Sequence, residues 1–354
     1  MLVFAILGAL DRIFGNRFGL GKEFERGFML LGPMFLSMIG MIVISPLIAD
    51  LLEPCFDWVY KALHIDPSVI PAMLFANDMG GAPLSTSIAK EVEIGRYNAL
   101  VISSMMGVTV SFTIPYALGI VRKEHHRQLF LGFLCGFATI PVGAFIVGLF
   151  LPISFSALLI NLLPLLVFAA IVIVGLLLRP ELTIKIFSVI GVAIKILITV
   201  GLVIGMVNFV TGKEIVKGVA TFGEGVDICV NAAIFLAGAF PLLYIVSKLL
   251  EKPMGKAGKL IGVNAKSMVS LIACLATNAT TFEMMNEDMD KKGQILNAAF
   301  AVSGAFVFGS HLAFTMAFDD SYIVPVIAAK LISGFASIPL AAFLYKRTNK
   351  EKVE

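Results

Sequence analysis

Apolar runs long enough to cross a bilayer recur along this chain, and they constrain it more than any other feature. Residues 27–52, 97–121, 128–150, 154–178, 186–210, 228–247, 294–318 and 321–345 each carry at most one ionisable side chain: Asp50 at the end of the first, Lys195, His311 and Lys330 in three others. A spanning helix needs about 20 such residues. In hydrocarbon every backbone amide must find its partner inside the segment, so uninterrupted runs of this length can only be helical. The same runs exclude a soluble fold. With 58% hydrophobic and 14% charged residues, the chain falls far short of the roughly 25% charge that gives a water-soluble domain its coat.

Residues 1–10 are apolar but too short to span, and they lack the basic start of a signal peptide, so they read as a half-length first helix. The four cysteines, Cys55, Cys135, Cys229 and Cys274, stand singly. Without paired spacing they indicate apolar filling rather than a zinc site or a disulfide framework.

Two further apolar segments are interrupted. Residues 68–89 contain Asn77-Asp-Met-Gly-Gly81, and residues 267–282 contain Thr277-Asn-Ala-Thr-Thr281. Each has a polar centre between greasy halves too short to cross, the pattern of a broken helix or re-entrant hairpin buried in protein. If each enters and leaves on one side, the basic loops around Arg122–Arg127 and Lys248–Lys266 fall on the same face as Lys346 and Arg347. The excess of lysine and arginine then marks that face, and the C-terminus, as cytoplasmic.

The chain also resembles itself. Residues 136–145, GFATIPVGAF, match residues 334–343, GFASIPLAAF, at seven of ten positions. At a nearly constant offset Asn98 aligns with Asn297, Ser104 with Ser303, Ser111 with Ser310, and the 76–78 triplet with 276–278. The two broken segments are therefore equivalent, and the odd number of crossings between them inverts one copy relative to the other. The expected fold class is an all-α polytopic membrane protein, with about 9–10 transmembrane helices plus two broken hairpins in two inverted-topology repeats. One transmembrane domain is expected over residues 1–354. Repeat 1 covers 27–150 with its hairpin at 68–89, linking helices cover 151–225, and repeat 2 covers 226–347 with its hairpin at 267–282. Matched interruptions of this kind point to a secondary transporter's midplane substrate site.

The block Phe75-Ala-Asn-Asp-Met-Gly-Gly81, the stretch Ser103-Ser-Met-Met-Gly107, and His311-Leu-Ala-Phe-Thr-Met-Ala-Phe318 followed by acids resemble the ethanolamine utilisation protein EutH family. Asp11-Arg12-Ile, Gly19 and Phe24-Glu-Arg-Gly-Phe-Met29 resemble that family's N-terminal region, and the likeness extends over essentially the whole chain. It implies an ethanolamine transporter or permease of the bacterial inner membrane that feeds catabolism.

Ethanolamine at neutral pH is a small cation carrying a hydroxyl, so a dry site for it needs an acid together with amide or hydroxyl groups. Asp78 is the one carboxylate well inside a membrane segment, and such an acid is functional by default. Asn77, Thr277, Asn278, Thr280 and Thr281 surround the expected tips, with Gly80 and Gly81 allowing the backbone to break. Ser111, Ser310 and His311 complete the candidate substrate site. Capping is the competing role for each polar tip residue, and Thr280 with Glu283 has capping-box spacing. Lys195 is expected to pair with an acid such as Asp78 or to carry a gating charge, and Lys330 to snorkel or pair with Asp319 or Asp320. His125 and His126 are expected in solvent.

No cofactor is expected. A coupling Na+ or H+ stays open, and the absence of a G-x-x-x-x-G-K-[ST] motif excludes direct use of ATP. The expected partners are ethanolamine, membrane lipid and other copies of the chain, a dimer in the first place, and no nucleic acid. The alternative is an ion-coupled carrier of a small organic anion with the same architecture, which would want lysine or arginine at the tips. An intramembrane enzyme would need a nucleophile–base pair or a metal cluster, and the sequence offers neither.

Overall fold

A computed structural model describes residues 1–287 and 289–350. The side chains of Cys55, Lys252, Lys256, Lys259 and Lys350 lie outside the described residues, as does Lys352. The described chain is helical with no strand. In order it runs through α1 (Leu2–Ile13), α2 (Leu20–Met29), α3 (Leu31–Met34), a π-turn (Phe35–Ile39), α4 (Gly40–Leu63), α5 (Val69–Leu74), α6 (Gly81–Ile88) and α7 (Val92–Tyr97). π-helical turns (Asn98–Gly107 and Thr109–Thr113) then lead into α8 (Ile114–Ile120), α9 (His126–Gly148), α10 (Phe155–Leu178), α11 (Pro180–Thr211) and α12 (Phe222–Ile261). The last five are α13 (Ala265–Cys274), α14 (Asn278–Met285), α15 (Lys291–Ser303), α16 (Ser310–Phe318) and α17 (Ile323–Lys350).

Among the described residues seven helical stretches are long and apolar enough to cross a membrane: Leu20–Pro54, Val92–Ile120, Lys123–Gly148, Phe155–Leu178, Pro180–Thr211, Phe222–Leu249 and Asp320–Thr348. Together they make the chain a multi-pass membrane protein. The expected 9–10 include residues 294–318, which are not among these seven because they are interrupted. Residues 294–318 do not form one helix: the chain unwinds between α15 and α16, where Phe306 takes a left-handed φ of 60°. Hydropathy alone is blind to this break, because the unwound residues are as apolar as their neighbours.

The outer faces of α10 and α11 expose Leu163, Val167, Ile171, Val174, Val189, Val192, Ile196 and Val203. Apolar surface on this scale is satisfied by lipid rather than water. The interior is formed where α9 packs against α15 and α17, and where α5 and α6 pack against the π-helical stretch after α7. Asn98 Nδ2 donates to Ser68 Oγ (2.9 Å), and its sequence equivalent Asn297 donates to the Ser267 carbonyl (2.8 Å).

Both interrupted segments are broken helices whose two ends meet. Fully buried Asp66 accepts from the Ser68 amide (3.0 Å) and hydroxyl (2.5 Å) where the first segment begins. It also accepts from the amides of Lys90 (2.9 Å) and Glu91 (2.8 Å) where that segment ends. Asp290 ties the second in the same way. It accepts from the Asn264 amide (2.9 Å) and the Ser267 hydroxyl (2.8 Å) while capping α15 through the Gly293 amide (3.0 Å). A carboxylate meeting three or four donors is held by charge-assisted bonds, the strong kind.

Candidate functional site

The first break, residues 75–80, leaves α5 in extended backbone at Phe75 and re-enters a helix at Gly80, whose φ of 98° suits glycine alone at no cost. Met41 fills the space where a Gly80 side chain would point. Gly81 lies against the Ser103 hydroxyl and the Phe75 carbonyl, so neither glycine tolerates a side chain. The second break is shorter. Thr277 is the N-cap of α14 and accepts from the Ala279 amide (3.3 Å). The expected capping box at Thr280 is therefore displaced. Thr280 sits inside α14, and Glu283 accepts instead from the Tyr116 hydroxyl (3.2 Å).

Each break presses an asparagine against the opposite half of the molecule. Asn77 Nδ2 donates to the His311 carbonyl (3.2 Å) and to Thr315 Oγ1 (3.4 Å), and Asn278 Nδ2 donates to Thr113 Oγ1 (2.8 Å). Both asparagines are fully buried, yet their Oδ1 atoms have no hydrogen-bond partner. An orphaned buried acceptor costs on the order of 1–3 kcal/mol. Two of them stand at the two helix breaks.

Asp78, largely buried beside Asn77 with 14% of its side chain exposed, places Oδ1 at 3.6 Å from His311 Nε2, and the Ser310 hydroxyl faces its carboxylate. The imidazole is sealed in at 1% exposure, stacked on the Phe306 ring at 4.5 Å between centroids. Its other nitrogen, Nδ1, lies 3.2 Å from the Ser104 carbonyl and 3.2 Å from Lys330 Nζ. Lys330, also 1% exposed, donates to the carbonyls of Ser104 (2.6 Å) and Ala305 (2.7 Å). The Ser104 carbonyl comes from a π-helical turn, a distortion that gathers at functional sites. The Ala305 carbonyl comes from the unwound stretch before α16.

Lys330 therefore corrects the sequence reading. It neither snorkels nor pairs with Asp319, which is held by Arg96 (2.6 Å). The signal in the sequence is a lone charge in a spanning run; which way the helix turns that charge is not written there. Lys195, by contrast, lies on the exposed face of α11 and does not pair with Asp78. Ser111 and Thr281 bond to the backbone: Ser111 accepts from the Ala76 amide (3.1 Å) and donates to the Gly107 carbonyl (2.8 Å), while Thr281 donates to the Ser270 carbonyl (3.3 Å). His125 and His126 are not simply solvated. The first meets Gln294 Nε2 (3.2 Å) and the second the Val121 carbonyl (2.9 Å).

A cavity of about 370 Å³ runs between Glu23, Arg26 and Lys248 on one side and Ala276, Thr277 and Thr280 of the second break on the other. The Ala276 carbonyl sits against Gly309, where a side chain would come within 2.0 Å of it. The next residue, Ser310, faces Asp78, and neither of the two lines the cavity. No group of histidine, cysteine and acidic side chains suited to a metal ion occurs among the described residues.

A bundle of spanning helices, with a polar helix break in its interior that carries the acid Asp78, defines the class, a multi-pass helical membrane protein. The chain belongs to the ethanolamine utilisation protein EutH family, whose match covers residues 1–344. It is 42% identical to the "probable ethanolamine permease EutH" of Listeria monocytogenes, over 99% of this chain and 94% of that protein. It is 35% identical to the proteins of the same name from Salmonella typhimurium, covering 100% of this chain and 96% of the relative, and Escherichia coli, covering 97% and 93%. The family is one of permeases, not of enzymes. No solved structure matches the chain.

Proposed function

We propose that the protein carries ethanolamine across the bacterial inner membrane, as a secondary transporter or facilitator with alternating access to a site between the two helix breaks. The observation that carries this reading is Asp78, a carboxylate at an interior helix break beside the orphaned Asn77 Oδ1. A carboxylate with amide oxygens suits an ammonium, and the threonine and serine hydroxyls at Thr277, Thr280 and Ser310 suit an alcohol. The relatives' permease names supply the particular amine.

The inverted-repeat topology belongs to the same proposal. Each broken segment has its two ends tied by one aspartate, as a hairpin entering and leaving on the same side requires. The matched Asn98–Ser68 and Asn297–Ser267 bonds support equivalence of the repeats. With the basic loops and the C-terminus in the cytoplasm, the cavity beside Arg26 and Lys248 is the inward path. An anion carrier is disfavoured, because the donors of the buried Lys330 are directed at two carbonyls and at His311.

Uptake of labelled ethanolamine into proteoliposomes tests the reading. Asp78→Asn keeps the shape and removes the charge. Loss of a buried charge partner costs about 3 kcal/mol or more, a weakening beyond a hundredfold, so uptake collapses while the protein still inserts. Near-normal uptake by Asp78→Asn would refute the ammonium role.

A further inference from the structure

We infer that the Asp78–His311–Lys330 chain makes transport an exchange of the substrate cation for a proton, so that the species moved in net terms is the neutral amine. The inference rests on the proposed ethanolamine site and adds the coupling to it. Lys330 is a buried cation with no direct ion pair among the described residues; its link to Asp78 runs through His311. Without substrate, one carboxylate and one ammonium balance in the interior. An arriving substrate ammonium adds a second positive charge to a region that solvates charge poorly. Release of the Lys330 proton restores the balance.

The geometry supplies a route with a partner for either form of the imidazole. While Lys330 is protonated, Nδ1 of His311 accepts from Nζ, and the Nε2 proton faces Asp78. When Nζ gives its proton to Nδ1, the Nε2 proton leaves on the Asp78 side toward solvent. The imidazole is then neutral with its proton on Nδ1, where the Ser104 carbonyl at 3.2 Å accepts it. One proton leaves as one substrate cation enters, and reversal on the other side of the membrane closes the cycle. The titratable groups around the chain are His311 from α16, Asp78 from the first break, Cys274 from α13, and Cys229 from α12 near Asp78. Neither cysteine is charged in the balance above.

The consequence is electrical. A uniporter for a cation is driven by an inside-negative membrane potential, whereas exchange of one cation for one proton ignores the potential and follows the pH gradient. Accumulation then follows the proton ratio, about tenfold per pH unit. Inside a cell, a reaction that consumes the amine is what keeps the flow inward.

The test uses full-length protein in sealed vesicles, with labelled ethanolamine and protein-free vesicles subtracted to remove passive flux of the free base. Three initial rates are compared: an imposed potential alone, an inside-acid gradient alone, and counterflow against unlabelled ethanolamine. The wild-type protein responds to the pH gradient severalfold and to the potential not at all, and a dye inside the vesicles reports protein-dependent alkalinisation during uptake. Lys330→Met removes the exchangeable proton and leaves a cation carrier, so its uptake switches to being driven by the potential. Wild-type uptake driven by the potential and indifferent to the pH gradient overturns the inference, whatever the variant does. Counterflow absent from the wild-type protein overturns the ethanolamine reading itself, and the coupling with it.

Discussion

The Lys330 ammonium stands 3.2 Å from Nδ1 of His311, nineteen residues away in sequence, and both side chains are 1% exposed. Lys330 reaches this place from α17, a long helix in which it is the one charge before Lys346, whereas His311 comes from a short helix that starts only after the chain has unwound. The unwound stretch provides one of the carbonyls that hold the ammonium, and a π-turn provides the other. Two local departures from α-helix thus solvate one buried charge.

Lys330→Met preserves the length of the side chain and removes its donors. The Ser104 and Ala305 carbonyls lose a charged partner, and destabilisation on the order of 2–3 kcal/mol is expected. Adding Asp78→Asn removes the unbalanced carboxylate and should recover part of that loss, since a buried charge stripped of its counterpart is the more costly state. Thermal unfolding of purified protein in detergent measures both. A double variant less stable than the sum of the single ones would show that the two charges do not compensate each other.

Asp66→Ala should be among the most damaging single changes outside the candidate site. It strips an acceptor from four donors at the two ends of the first broken segment. A loss of about 3 kcal/mol or more is expected, from charge-assisted bonds worth roughly 1.5–3 kcal/mol each. Limited proteolysis should then cut near residues 66–68 or 90–91. Wild-type resistance to protease would mean that these bonds do not hold the segment's ends.

Gly309 is a close approach rather than a turn. A methyl group there would meet the Ala276 carbonyl oxygen at 2.0 Å, backbone against backbone. Gly309→Ala should cost about 1–3 kcal/mol through forced displacement of the second break. Gly32→Ala is the matched control, since nothing lies within 4 Å of the added carbon. The difference in melting temperature between the two variants reports the strain, and equal melting temperatures would show that the break moves freely.

Membrane sidedness can be read with cysteines introduced at His125 and His64 in a background lacking the native four. The proposed topology, drawn from the clustering of lysine and arginine, has His125 in the cytoplasm and His64 outside. An impermeant maleimide added to intact cells should label position 64 and spare position 125. Labelling of both from one face would remove the topology on which the inward path depends.

Much of the architecture was legible because it is written locally. Whether a residue can face lipid depends on its own side chain and its near neighbours, so the spanning runs, the polar centres at Asn77–Gly81 and Thr277–Thr281, and the family motifs all stand in the linear sequence. The break between α15 and α16 was not legible. Nothing in the hydropathy of residues 304–309 distinguishes them from a helix, and they unwind against other parts of the chain: the Phe306 amide donates to the Cys274 carbonyl (3.1 Å) and the Phe308 amide to the Leu275 carbonyl (2.9 Å).

The candidate site divides in the same way. The sequence by itself determined that Asp78 is an acid within an apolar segment, with amides, hydroxyls and glycines at two interruptions. Only the tertiary structure decided that Ser111 and Thr281 support the backbone, that Lys195 turns outward, and that Lys330 turns inward to His311. The physical reason is the rotation of each helix about its own axis. In a run apolar on every side, hydropathy does not specify which face points to the interior; packing against α9 and α15 sets it for α17, and with it the surroundings of its single buried charge.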